Sequence, residues 1–338
     1  MRRRGWIALL VSGILMTLGV VFWARPVSVF RVFNELQMYL VGARSHYTSV
    51  SGYRIHYYTL GPEDGSPVVL VHGLGGRAED WEKLAPFLRR AGYRVYLPDL
   101  PGFGQSERPT SFSYSVTDQS RIVVGFLDAI GLKKVDLGGW SMGGWIVQLV
   151  AANNPDRVSC LMLFDSAGLY VKPEWDTRLF TPISPAEIEK LDKLLMPHPP
   201  SLPDFVTRDI LRVSREHAWV MQRSIDTMLQ GRETTDALLP QLKMRVFIVW
   251  GELDEITPLS EGEKMHKLIP QSQMDVVAGC GHLAPNECAS VIGPEVVRFL
   301  RQPSPLNQEG RGLIDPAPNE NVRLEADAPA QLNLPAGC

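Results

Sequence analysis

Residues 135–144 read VDLGGWSMGG, a short apolar run that leads into a Gly-x-Ser-x-Gly motif centred on Ser141. The run at 135–138 predicts a strand, and the apolar residues from 141 to 154 predict a helix. A sharp strand-to-helix turn holds the serine at its apex in a strained backbone conformation, and the flanking glycines leave room for close packing. The motif therefore predicts an exposed nucleophile at the carboxyl edge of a sheet.

Short apolar runs alternate with helical patterns on both sides of this motif. Strands are predicted at 54–60, 67–71, 94–97, 158–164, 245–250 and 273–277, and helices at 81–90, 116–130, 259–268 and 291–300. Such alternation predicts a mostly parallel sheet with helices on both faces. Between residues 167 and 240 helical segments and prolines occur without a convincing strand. We therefore expect an α/β core at 51–166 and 241–301, interrupted by a helical cap at 167–240.

A serine nucleophile that attacks a carbonyl needs two N–H groups directed at the oxyanion that forms. The N–H of Met142 is one candidate, because it directly follows the nucleophile. The run at 67–71 leads into His72-Gly-Leu-Gly-Gly76, whose glycines let the backbone approach Ser141. We expect the second donor to be the N–H of Leu74, and we expect His72 to fix the loop by hydrogen bonding.

Two further motifs supply a base and an acid, in the chain order serine, acid, histidine. His282 follows the last predicted strand and is preceded by Gly281, so it is the expected base. Asp254 follows the strand at 245–250 and is the expected acid, which orients the imidazole and stabilises it when protonated. Asp165, just after the strand at 158–164, is the alternative acid.

The two ends of the chain differ from the middle. Residues 1–4 carry three arginines, and 5–24 contain no charge. Twenty helical residues span about 30 Å, the thickness of a bilayer core, so we expect a retained single-pass anchor. A cleaved signal peptide or an interfacial helix are the alternatives. The arginines favour a cytoplasmic N-terminus and a catalytic domain on the non-cytoplasmic side.

After the anchor comes a juxtamembrane segment, 25–50, in which a helix at 27–40 could lie on the membrane surface or pack on the domain. Residues 302–338 are poor in apolar side chains and predict a disordered tail. The net charge of −3 gives no reason to expect a nucleic-acid partner. The four cysteines lack zinc-site spacing, so no metal site is expected; a Cys280–Cys288 disulfide is left open.

Taken together, the serine, acid, histidine and oxyanion-loop motifs resemble the α/β-hydrolase superfamily over residues 53–300. Residues 99–106, DLPGFGQS, also resemble that family's D-x-P-G-x-G-x-S loop, in which Asp99 is expected to be structural. The anchor, the cap and residues 165–169, DSAGL, resemble the branch of membrane-anchored monoacylglycerol lipases. That resemblance implies a glycerolipid ester as substrate. The expected serine mechanism requires no cofactor.

The expected function is hydrolysis of lipid carboxylic esters through an acyl-enzyme intermediate. Apolar cap residues could line an acyl pocket or simply pack the cap on the core; those expected at the pocket are Leu179, Phe180, Phe205 and Trp219. A C–C bond hydrolase or a small-ester hydrolase with the same three residues is the alternative, and a tethered scaffold without activity is a third. Acyl length, head group, membrane identity and oligomeric state are left open.

Overall fold

Nine strands form one sheet in the order β1-β2-β4-β3-β5-β6-β7-β8-β9 in the computed structural model, which describes residues 2–302 and 322–325. Strand β2 pairs antiparallel with β1 and β4, and the remaining neighbours are parallel. The strands are β1 Arg44–Val50, β2 Tyr53–Leu60, β3 Pro67–Val71, β4 Arg94–Pro98, β5 Val135–Trp140, β6 Val158–Phe164, β7 Arg245–Gly251, β8 Ser272–Ala278 and β9 Val322–Glu325.

Helices cover both faces of this sheet, as the alternating pattern predicted. Strand β3 illustrates the result, because Val69 and Val71 join one buried apolar cluster while Val68 and Leu70 join the cluster on the opposite face. A continuous apolar run is what a strand buried on both faces requires. The helices of the core are α3 Ala85–Arg90, α4 Val116–Ala129, α5 Met142–Asn153, α8 Leu259–Leu268, α9 Ala284–Glu287 and α10 Ala289–Arg301.

The segment between β6 and β7 is a helical cap without a strand. It contains α6, Pro185–Leu195, and α7, Asp204–Leu229. Helix α7 runs through 26 residues without interruption. No glycine or proline occurs within it, so nothing in the sequence breaks the backbone hydrogen bonding there.

Two helices precede the sheet. Helix α1, Arg2–Ala24, contains the expected anchor at 5–24, and α2, Pro26–Leu40, follows directly. Of the helices in the described part of the chain, none qualifies alone as a membrane span by length and apolar character. The pair Val11–Ala24 and Pro26–Leu40, bent by 108°, qualifies when taken together. The transmembrane anchor therefore stays a prediction.

Helix α2 packs on the cap, which agrees with one of the two alternatives for this segment. The N–H of Val27 donates to Asp209 Oδ2 at 3.0 Å, and Arg25 lies 3.7 Å from the other oxygen of that buried carboxylate. The ring of Phe22, in α1, packs edge-on against Phe205 of the cap. The N-terminal helices thus contact the cap rather than only the core.

The expected disordered tail, 302–338, lies outside the described residues except for Gln302 and β9. Strand β9 pairs in parallel with β8 along the open edge of the sheet. These four residues depart from the expected disorder, because the exposed N–H and C=O groups of an edge strand offer pairing to any extended segment.

Candidate active site

Ser141 occupies the turn between β5 and α5, with φ 56° and ψ −121°. A positive φ is costly for a residue with a side chain, so surrounding contacts must hold the turn. The Ser141 N–H donates to the carbonyl of Phe164 at the end of β6, and the Ser141 carbonyl accepts from Ala167. These bonds fix the elbow to the neighbouring strand.

The glycines beside Ser141 are required by contacts with backbone and side chains. A Cβ on Gly143 would lie 2.3 Å from the carbonyl oxygen of Val71 and 2.5 Å from that of His72. A Cβ on Gly139 would meet the Gly143 carbonyl at 2.3 Å. The motif thus reflects close packing of the elbow against the end of β3.

Three predicted side chains meet at the carboxyl edge of the sheet. Ser141 Oγ lies 2.9 Å from His282 Nε2, and His282 Nδ1 lies 2.8 Å from Asp254 Oδ2. His282 and Asp254 are buried, whereas Ser141 is partly accessible. Such a relay lets the imidazole accept the serine proton while the carboxylate holds its tautomer and orientation.

The carboxylate of Asp254 is held by its own turn. The N–H groups of Ile256 and Thr257 donate to Oδ1 at 2.8 and 2.9 Å, and the Thr257 hydroxyl donates to Oδ2 at 2.7 Å. On the other side, the Trp140 indole N–H donates to the carbonyl of His282 at 2.7 Å. Sequence reasoning missed Thr257 and Trp140. The spacing of aspartate and threonine, three residues apart, was a usable signal, because such pairs favour local side-chain bonds.

Asp165, the alternative acid, lies beside this relay rather than in it. It is fully buried, its Oδ1 accepts from the N–H of Gly251 at 2.6 Å, and its Oδ2 has no hydrogen-bond partner. Burial, together with the nearby charge of Asp254, raises the pKa of Asp165 well above its ordinary value. Its carboxyl group bonds to Gly251, whereas the Nδ1 atom of His282 bonds to Asp254.

The loop after β3 lies against the nucleophile. A Cβ on Gly73 would be 3.1 Å from Ser141 Cβ, so this glycine permits the close approach. His72 holds the loop: its Nδ1 bonds to the carbonyl of Gly73 at 2.8 Å, and its Nε2 accepts from the N–H of Leu100 at 3.0 Å. Leu74 follows directly, and Met142 begins α5, where helix N–H groups lack intrahelical partners.

Asp99 supports this loop from behind. One carboxylate oxygen accepts from the N–H of Ala78 at 2.7 Å, and the other contacts the N–H of Gln105 and His56 Nδ1, both at 2.8 Å. Burial opposes its charge, but the bond with His56 and the other contacts leave the pKa of Asp99 below its ordinary value. The buried carboxylate thereby joins the turn at Ala78 to the loop at 101–106, away from Ser141.

A disulfide joins Cys280 to Cys288 and closes the segment that carries His282. The pairing that the sequence left open is therefore present. Because the bridge begins two residues before His282, it restrains the loop that positions the imidazole. Of the cysteines in the described residues, Cys160 is free and buried.

A cavity of about 280 Å³ lies between α2, the cap and the loop after β3; we call it the α2–α7 cavity. Its lining residues are Val27, Arg31, Gly75, Gly76, Arg77, Gly102, Phe103, Gly104, Arg108, Phe180, Pro182, Leu191, Ile210, Val213, Ser214, His217, Val220 and Met221. A Cβ on Gly75 would lie 3.2 Å from Met221 Cε, so the cap helix rests on this loop.

Of the four apolar side chains expected at an acyl pocket, only Phe180 lines this cavity. Phe205 instead packs on Phe22, and Trp219 packs edge-on against Tyr114 at 5.6 Å. Leu179 is buried and is not among the lining residues. These three side chains do not line this cavity, and their place in an acyl pocket stays a prediction.

Comparison with known proteins agrees with the fold. The model of the α/β-hydrolase fold family matches residues 66–223. Lipase 1 of Psychrobacter immobilis is 29% identical over 254 residues, which cover 70% of this chain and 77% of the lipase. The 2-hydroxy-6-oxo-6-phenylhexa-2,4-dienoate hydrolase of Burkholderia cepacia is 29% identical over 282 residues, 74% of this chain and 92% of that protein.

A solved structure of a membrane phospholipase A, described as a bacterial virulence factor, superposes with a TM-score of 0.72 at 27% identity. The superposition covers 88% of this chain and 99% of the phospholipase chain. With the nucleophile elbow and the sheet order, these matches define the class: the chain belongs to the α/β-hydrolase superfamily. Lipases and other hydrolases are among its relatives.

Gly143→Ala tests the packing of the elbow. Alanine has a higher helix propensity than glycine. The added methyl group would nevertheless collide with two backbone carbonyls that cannot rotate away. We expect the free energy of unfolding to fall by about 2 kcal/mol or more, measured by urea titration. Gly19→Ala is the matched control, since a Cβ there meets nothing within 4 Å; equal stability of the two variants would contradict the packing account.

Exchanging each carboxylate for its amide separates the two acids. Asp254→Asn should lower kcat by about 10⁴-fold, because the amide favours the wrong imidazole tautomer. Asp165→Asn should leave kcat within about fivefold, because Asp165 bonds to Gly251 rather than to His282 and the amide keeps its shape. Steady-state kinetics with a p-nitrophenyl ester measures both, and the reverse order of effects would assign the acid to Asp165.

Proposed function

We propose that this protein is a serine carboxylester hydrolase that cleaves acyl esters of lipids through an acyl-enzyme intermediate. The observation that carries the proposal is the relay of 2.9 and 2.8 Å from Ser141 through His282 to Asp254, at a strained elbow. A serine hydroxyl is a weak nucleophile alone and becomes effective when an adjacent base takes its proton.

In the proposed reaction, Ser141 Oγ attacks the ester carbonyl carbon and its proton passes to His282 Nε2. The tetrahedral oxyanion accepts hydrogen bonds from the N–H groups of Leu74 and Met142. Collapse breaks the bond to the alkoxy oxygen, which leaves as the alcohol after receiving the proton from His282. A water molecule, deprotonated by His282, then releases the acyl group and restores Ser141.

The N-terminal helices support a lipid substrate. Large apolar side chains stand exposed along α1 and α2, between 52% and 72% for Trp23, Phe30, Val32, Leu36 and Leu40. Exposed apolar surface of this kind is typical of membrane or partner contact. Helix α2 also supplies part of the wall of the α2–α7 cavity. The segment that would lie at a membrane therefore borders the cavity beside the nucleophile.

A membrane location is part of the proposal: residues 5–24 anchor the chain once, and the catalytic domain lies on the non-cytoplasmic side. The Cys280–Cys288 bridge supports that side, because disulfides persist mainly in oxidising compartments. The likeness to a membrane phospholipase A, over 88% of this chain, is consistent with a membrane enzyme.

A second candidate function is hydrolysis of a C–C bond in a dienoate. It is favoured by curated relatives that act as 2-hydroxy-6-oxo-dienoate hydrolases, among them those of Burkholderia cepacia and Comamonas testosteroni. Such soluble, charged substrates leave the exposed apolar surface of α1 and α2 without a role, so we rank this candidate second.

A hydrolysis panel tests the two functions. The full chain in nonionic detergent is given p-nitrophenyl esters of increasing acyl length, 1-monooleoylglycerol, phosphatidylcholine and 2-hydroxy-6-oxo-6-phenylhexa-2,4-dienoate. We expect kcat/KM for esters to rise with acyl length, because added methylenes bury apolar surface. Ser141→Ala should lower ester turnover by about 10³-fold or more, whereas the exposed control Ser260→Ala should not. Cleavage confined to the dienoate would overturn the lipid ester proposal.

A further inference from the structure

Three arginines from separate parts of the chain line the α2–α7 cavity. Arg31 comes from α2, Arg77 from the loop after β3, and Arg108 from the segment that follows the loop at 101–106. Their guanidinium groups therefore converge through the tertiary fold rather than through a local run of basic residues. The charge of Arg77 acts on Arg108: burial lowers the pKa of Arg108, and Arg77 lowers it further.

These charges lack acidic partners inside the cavity. Within residues 2–302, no carboxylate oxygen lies within 4 Å of a guanidinium nitrogen of Arg31, Arg77 or Arg108. The Nε atoms of Arg31 and Arg108 are buried and have no hydrogen-bond partner. One Arg108 amino group donates to the carbonyl of Gly104 at 2.8 Å.

The nearest acids are already engaged elsewhere. Asp209 and Glu216 both pair with Arg212, at 2.7 and 2.6 Å. Asp99 is held by His56 and by backbone N–H groups, and Asp80 accepts from the N–H of Arg77. Burial raises the pKa of Asp80 to about 7, which weakens it as a counter-charge. In the described residues the guanidinium groups of the three arginines thus have no carboxylate in direct contact, and the Nε donors of Arg31 and Arg108 have no partner.

Most of the remaining cavity wall is apolar, with Ser214 and His217 as its polar side chains. Phe103, Phe180, Leu191, Ile210 and Val213 face the same space as the arginines. A cavity with charged donors in one part and apolar side chains in the other suits an amphiphile, with an anionic group and a hydrocarbon portion. Guanidinium groups bind phosphate with paired, charge-assisted hydrogen bonds, so several of them together favour a phosphate over a neutral hydroxyl.

One loop contacts both the nucleophile and the cavity. Gly73 contacts Ser141, and Gly75, Gly76 and Arg77 of the same loop line the cavity. Three residues of chain span at most about 11 Å, so Gly76 lies within that distance of Gly73. An acyl ester whose phosphate is separated from the scissile carbonyl by a few bonds can therefore reach both places.

We propose that the α2–α7 cavity binds the phosphate head group of the lipid ester through Arg31, Arg77 and Arg108, so that the enzyme selects phosphate-bearing acyl esters over neutral glycerides. The preference for phosphate-bearing substrates rests on the proposed ester hydrolase function. It departs from the neutral head group that the resemblance to monoacylglycerol lipases implied.

Binding to the full-length Ser141→Ala variant tests the site independently of turnover. Isothermal titration in nonionic detergent uses dodecyl phosphate as the probe. Replacing Arg31, Arg77 and Arg108 together by Gln should raise its Kd by about tenfold or more, the loss expected for charge-assisted hydrogen bonds. Arg301→Gln, an exposed arginine at the end of α10, is the matched control and should bind as before.

Inorganic phosphate provides the second arm of the titration. We expect it to bind much more weakly than dodecyl phosphate and to compete with it. Binding of free phosphate as tight as that of dodecyl phosphate would overturn the assignment to an amphiphile. An unchanged Kd for dodecyl phosphate in the triple arginine variant would overturn the site itself.

Kinetics of the wild-type chain complete the test. The ratio of kcat/KM for 1-acylglycerol-3-phosphate to that for 1-monoacylglycerol should exceed one and fall by about tenfold in the triple variant. Hydrolysis of p-nitrophenyl butyrate, which has no phosphate, should persist in Arg301→Gln, and the far-UV circular dichroism spectrum of the triple variant reports its folding. If that ester is not cleaved by the wild type, the hydrolase function fails while the binding result stands. A ratio that the arginine replacements leave unchanged contradicts head-group selection.

Discussion

Close packing of the backbone at Gly143 against the carbonyls of Val71 and His72 is the constraint on which the site depends. It allows α5 to begin directly above the end of β3 and forces Ser141 into a backbone conformation that a residue with a side chain rarely adopts. The same contact brings the loop at Gly73 to Ser141. Nucleophile and oxyanion loop are thus positioned by a single piece of packing.

The remaining functional groups are placed by the parallel order of the sheet. Strands β5, β6, β7 and β8 are adjacent, so the residues after their carboxyl ends meet at one edge even though they are far apart in the chain. Asp254 then depends on its own turn, through Thr257, and His282 depends on the indole of Trp140 and on a disulfide. These contacts hold Asp254 and His282 where the hydrogen bonds to His282 are 2.8 and 2.9 Å long.

The elbow, the acid and the base were predictable because each follows a strand with a clear apolar pattern and a local motif. The arrangement of the cap was less predictable, since Phe205 and Trp219 are apolar whether they face a ligand, another helix or a loop. The arginine cluster was not predictable: Arg31, Arg77 and Arg108 have no common spacing, and they come together only in the folded chain. The strand at Val322–Glu325 was missed for a similar reason, because its pairing partner is distant in sequence.

The N-terminal segment is more than an extension of the domain, since α2 forms a wall of the cavity beside the loop that contacts the nucleophile.

Every proposed role of the site depends on Ser141 being the nucleophile, and covalent labelling tests that assignment most directly. The full chain is treated with a fluorophosphonate probe and analysed by peptide mass spectrometry. The account predicts one adduct, on Ser141, formed rapidly in the folded protein and absent after denaturation. A folded protein that leaves Ser141 unlabelled, or carries the adduct on another serine, would contradict it.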